Sequence, residues 1–146
     1  MADLKKIMFA SETAEVSDEI APWVELLGSR FDAKAQLLHV VPKLNYLHSP
    51  YSASPQLFDP EENRKHRAHA LISKICSERL DVPIKNAAQV GRPVEVILKQ
   101  IKTEKISLLG VGTHGRSGLN RRIFGSVTNR LLRLSPVPAL CIRTSP

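Results

Sequence analysis

The stretch Gly112-Thr113-His114-Gly115-Arg116-Ser117-Gly118-Leu119-Asn120-Arg121-Arg122-Ile123-Phe124-Gly125-Ser126 decides the reading of this chain. An apolar run, Ile106 to Leu109, precedes it, and an amphipathic segment, Val127 to Leu134, follows. The order is therefore strand, glycine loop, helix. Glycines let a backbone turn with positive φ and approach a ligand with no Cβ in the way. A helix start adds free N–H groups and the positive end of a dipole. Together they make a cradle for an anion, and phosphate is the usual occupant.

Charge points to the same end of the chain. Residues 105–146 hold seven Lys or Arg and no Asp or Glu, whereas residues 1–104 hold fourteen of each sign. The net charge of +7 thus belongs to the last 42 residues. Such asymmetry marks an anion-binding end.

Three phosphate loops compete for the glycines. A Walker loop is excluded, because no lysine follows a glycine at the spacing GxxxxGK[ST]. Gly110-Val111-Gly112-Thr113-His114-Gly115 matches GxGxxG. That fingerprint should open a helix at once and be followed about 20 residues later by an acid, and here neither holds. The spacing that fits is Gly112-x2-Gly115-x9-Gly125-Ser126.

Working outward, 146 residues suffice for one domain, 1–146, with a sizeable core. Two cysteines, Cys76 and Cys141, are too few for a disulfide framework, which fits a reducing compartment. The N-terminal apolar run, Ile7 to Ala10, is too short for a signal peptide or a membrane span. The expectation is a cytoplasmic protein without a membrane partner.

Ile7 to Ala10 reads as a strand buried on both faces. A helix is expected after it, capped by Ser17, kinked at Pro22 and stopped by Gly28. Ala35 to Val41 is the second strand, with His39 as a core histidine. Lys43 to Phe58 is a long surface loop. Asp59-Pro60-Glu61-Glu62 starts a helix whose buried face is Ala68, Leu71, Ile72, Ile75, Cys76 and Leu80. His66 and His69 belong to its solvated face. Val82 to Val90 is the third strand. Gly91-Arg92-Pro93 opens a helix with Val94, Ile97, Leu98 and Ile101 on one stripe. The glycine loop lies between the fourth strand and fourth helix, Pro136 and Pro138 end that helix, and Ala139 to Arg143 is the last strand. Strands and helices alternate five times, which predicts an α/β fold: a single open parallel sheet with helices on both faces.

The loop spacing resembles the signature G-x2-G-x9-G-[ST] of the ATP-binding branch of the universal stress protein family. The flanks "SLLGVGTHGRSGL" and "GSVTNRLLRLSPVPALCIR" resemble it too, as do "KKIMFASETAEVSDE", "QLLHVV" and the helix start at Gly91-Arg92-Pro93. The resemblance covers essentially the whole chain. It implies a Rossmann-like five-stranded sheet of order 3-2-1-4-5, with a ligand at the switch point between the first and fourth strands.

It further implies ATP, accompanied by Mg²⁺ or Mn²⁺. The backbone near Val40 and the side chain of Val111 would sit by the adenine. Ala10, Ser11 and Glu12 would lie near the ribose and phosphates. Gly112, Gly115, Gly125, Ser126, Val127 and Thr128 would hold the phosphates, with Arg116 and Arg122 as charge partners. A homodimer through the last strand is implied as well. One departure stands out: Glu12 occupies the place of the family's aspartate, and Ala10-Ser11 that of its Pro-Thr.

No Ser–His–acid arrangement or metal cluster is in view, so no catalytic residue is assigned. The first reading is a regulatory ATP-binding protein of the stress response. The alternatives are a slow ATP hydrolase, or a member that has lost tight nucleotide binding through Glu12. Nucleic acid is disfavoured as a partner, because Phe124 is the only aromatic residue after Phe58 and no stacking platform exists.

Overall fold

The computed structural model describes residues 3–11, 14–41, 61–79, 84–112 and 126–143. In chain order these form β1 (Lys6–Ser11), α1 (Ala14–Phe31), β2 (Lys34–Val41), α2 (Glu61–Arg79) and β3 (Ile84–Val90). There follow α3 (Pro93–Thr103), β4 (Leu108–Gly112), α4 (Ser126–Leu134) and β5 (Ala139–Ile142). The strands make one parallel sheet of order β3-β2-β1-β4-β5, as expected.

The alternation of side chains along β1 sorts the core into two layers. Met8 and Ala10 join Leu38, Val40, Leu109 and Val111 beneath Val94, Ile97 and Ile101 of α3 and Leu131 of α4. Ile7 and Phe9 join Leu37 and Ile142 against Ile20 and Val24 of α1, and α2 packs beside α1. A strand clothed on both faces must be apolar at every position, which is why Ile7 to Ala10 carries no polar residue. The chain crosses from one layer to the other between β3 and β4. The carboxyl ends of β1 and β4 are neighbours, and α1 and α4 lie on opposite faces of the sheet.

Several boundaries differ from the sequence reading. α1 begins at Ala14, ahead of the expected cap at Ser17, and carries Pro22 inside it. Pro22 stands on the exposed side, where the carbonyl it cannot serve can face water. Gly28 does not stop α1; it is buried. The helix runs to Phe31 and ends where Asp32 adopts φ 50. There the Ala33 N–H donates to the Gly28 carbonyl at 3.0 Å. Asp32 thus supplies the left-handed turn that a glycine was expected to give.

The fourth strand is displaced from the run Ile106 to Leu109. β4 runs through Gly110 and Gly112, with Ile7 beside Leu108 and Ala10 beside Val111. Gly110 has a packing reason: a Cβ there would run into the ring of Phe9, which is fully buried. β3 begins at Ile84, and the expected Val82 and Pro83 lie outside the described residues, as do Lys43 to Phe58, Asp59, Pro60 and Leu80.

Candidate functional site

The site is built on the strand ends. Ala10, one residue from the end of β1, lies between Leu38 of β2 and Val111 of β4. Ser11 lies beside His39, which is 9% exposed and so sits in the core as expected. Val40 continues β2 past that level, and Gly112 closes β4 beside Ile142 of β5. Ala10, Val40 and Val111 are 7%, 2% and 2% exposed. Val40 and Val111 are therefore packed into the layer under α3 and α4, and it is their backbones that border the strand ends.

The helix of the site is fixed to the sheet by one side chain. The Thr128 hydroxyl donates to the Gly112 carbonyl at 2.8 Å, and the bond is buried. It joins the first turn of α4 to the last residue of β4 across 16 positions of sequence. The two ends of the glycine loop are thereby held together. Val127 packs against the core from the same turn, while Ser126 is exposed at the helix start. The first turn of α4 carries no acid. The first N–H groups of a helix have no intrahelical partner, and with the helix dipole they favour an anion there; no carboxylate of α4's own first turn competes.

The remaining residues assigned from the sequence, Glu12, Gly115, Arg116, Arg122 and Gly125, lie outside the described residues. Those brought together are Ala10, Ser11, Val40, Val111, Gly112, Ser126, Val127 and Thr128. The Thr128 hydroxyl is committed to Gly112, so what this residue can offer a ligand is its backbone N–H. No short-range signal foretells that bond. A hydroxyl in the first turn of the helix after a glycine loop is its only trace in the sequence.

Cys141 of β5 lies beside Val111, and burial pushes its thiol above the ordinary value. At neutral pH it is a protonated, weakly nucleophilic thiol. Among the described residues no three His, Cys, Asp or Glu side chains are grouped to hold a metal ion. No described helix is long and apolar enough to cross a membrane.

The profile of the universal stress protein family matches residues 3–143. Universal stress protein MJ0531 of Methanocaldococcus jannaschii is 27% identical over 141 residues, covering 95% of this chain and 82% of that protein. The solved structure of hypothetical protein MJ0577, from the same organism, superposes with a TM-score of 0.78 at 23% identity, covering 98% of each chain. A universal stress protein solved in complex with cAMP superposes with a TM-score of 0.69 at 17% identity, covering 98% of this chain and 99% of that one. With the profile spanning nearly all of the sequence and the sheet order agreeing, the chain belongs to the universal stress protein family.

Proposed function

We propose that this protein binds ATP at the carboxyl ends of β1 and β4 and acts as a nucleotide-responsive regulator of the stress response. The observation that carries the reading is the Thr128–Gly112 bond, which sets the acid-free first turn of α4 at the mouth of the glycine loop. A donor set of backbone N–H groups with one exposed hydroxyl, that of Ser126, suits phosphate oxygens. The spacing Gly112-x2-Gly115-x9-Gly125-Ser126 and a relative solved with cAMP support an adenine nucleotide as the ligand.

In this reading Gly112, Gly115, Gly125, Ser126, Val127 and Thr128 hold the phosphates, and Arg116 and Arg122 balance their charge. Ala10, Ser11 and Glu12 serve the ribose side. The backbones of Val40 and Val111 border the adenine. Mg²⁺ or Mn²⁺ would arrive with the nucleotide and be held by its phosphates. The role of these residues is to bind and orient; no general acid or base is assigned.

Calorimetry tests the reading. The wild-type protein is expected to bind ATP with Mg²⁺, and Gly115→Val is expected to abolish binding, because a branched side chain fills phosphate space and strains the loop. Equal heats from the two proteins would overturn it.

A homodimer through β5 belongs to the same reading. β5 is an edge strand with Ala139, Leu140 and Cys141 half-buried, and edges of this kind seek a partner strand. Light scattering should give twice the chain mass of 16.2 kDa at micromolar concentration; a monomer would remove the dimer from the proposal.

A further inference from the structure

The outward face of α4 carries charge of one sign. Ser126, Asn129, Arg130, Arg133 and Leu134 are all exposed and fall at i, i+3, i+4, i+7 and i+8, one continuous stripe. The opposite face, with Thr128 and Leu131, is buried in the core. The stripe carries two arginines, no lysine and no acid, and ends on Leu134, which is 52% exposed. Among the described residues neither guanidinium forms an ion pair or a hydrogen bond. The neighbouring helix α3 differs: there Arg92 pairs with Glu95 at 3.3 Å, so part of its charge is balanced locally.

We propose that this face of α4 is a docking surface for an acidic segment of a partner protein. Charge complementarity selects the occupant. Arg130 and Arg133 lie one turn apart and present two forks suited to carboxylates. Leu134 beside them offers an apolar contact, which a protein segment can bury and a phosphate backbone cannot. Arginine is also enriched, and lysine depleted, at protein interfaces. A surface for single-stranded nucleic acid would draw on stacking aromatics, and α4 has none. The proposal goes beyond nucleotide binding and stands without it.

The test uses nucleotide-free protein, so its failure leaves the ATP reading intact. The probe is a fluorescein-labelled helical peptide built of glutamate, alanine and leucine, titrated by fluorescence anisotropy at low and at physiological salt. The wild-type protein is expected to bind it. Arg130→Glu with Arg133→Glu should weaken binding by about tenfold or more, and Leu134→Ala by about threefold. All three positions are exposed, and unchanged thermal unfolding verifies the fold. Arg92→Glu serves as the control for charge alone, with little effect expected. The proposal is overturned by absence of binding, by equal losses from Arg92→Glu and the α4 variants, or by indifference to Leu134→Ala. Tighter, arginine-dependent binding of a random DNA duplex would also overturn it and make the face a nucleic-acid surface.

Discussion

The two ends of the same parallel sheet solve opposite problems. At the amino end a cluster of polar groups is bonded within the fold. The Ser107 hydroxyl donates to the Lys6 carbonyl at 2.8 Å and accepts the Lys6 N–H at 3.0 Å. Glu104, at the end of α3, takes Lys6 on one carboxylate oxygen and Lys85 on the other, each at 3.2 Å. The Lys6 ammonium also donates to the Glu104 carbonyl at 2.9 Å. At the carboxyl end Thr128 is tied to Gly112, and the first turn of the helix there carries no acid. The closed end fastens β1, β3 and α3 together; the other end presents a helix start, whose first N–H groups have no intrahelical partner. A carboxylate shared by two ammoniums is already bonded within the fold.

Substitutions can break this contrast at either end. The largest expected effect is that of Gly110→Ala, beneath the carboxyl end. Its Cβ would press on the buried Phe9 ring, and overpacking of this kind costs about 3 kcal/mol. Urea unfolding checks it, and a variant as stable as wild type would mean that the ring moves freely.

Next comes Thr128→Val, which keeps the shape and removes the donor. The Gly112 carbonyl loses its partner, at an expected cost of about 1–2 kcal/mol in stability. Nucleotide affinity should fall in the same variant, since the loop ends part, and Thr128→Ser should restore much of both. Loss of stability with full ATP affinity would show that the bond supports only the fold.

The smallest effect should come from Glu104→Gln at the closed end. Hydrogen bonds from Lys6, then Lys85, hold the Glu104 carboxyl below its ordinary value of 4.5. A carboxylate with a lowered folded pKa stabilises fully above its unfolded value and loses that contribution as pH falls through the folded one. Wild type should therefore melt above the variant at neutral pH, and the gap should close in acid. ATP affinity should not change. A gap that persists at low pH would assign the effect to packing rather than charge.

Much of the fold was legible in the sequence because burial has a period. Ile7 to Ala10 announced a strand covered on both faces, the stripe Val94, Ile97 and Ile101 announced the α3 contact, and Pro136 and Pro138 marked the end of α4. The boundaries that slipped did so for tertiary reasons. Gly28 looks like a stop from its neighbours, yet it is buried and Asp32 makes the turn. Gly110 looks like part of a ligand loop, yet Phe9, far away in sequence, dictates it.

The same division holds for the site. By itself the sequence determined the chemistry of the last 42 residues: glycines at G-x2-G-x9-G spacing, a serine at the helix start, and a net charge of +7 with no acid. Composition and spacing are local properties, and a single strand–loop–helix unit is enough to express them. Only the tertiary structure decided which groups remain free. Hydrogen bonds join Thr128 to Gly112 and Lys6 to Glu104 and Ser107 across 16, 98 and 101 positions. A side chain's availability depends on what the folded chain brings within about 3 Å of it, and no window of sequence contains that distance.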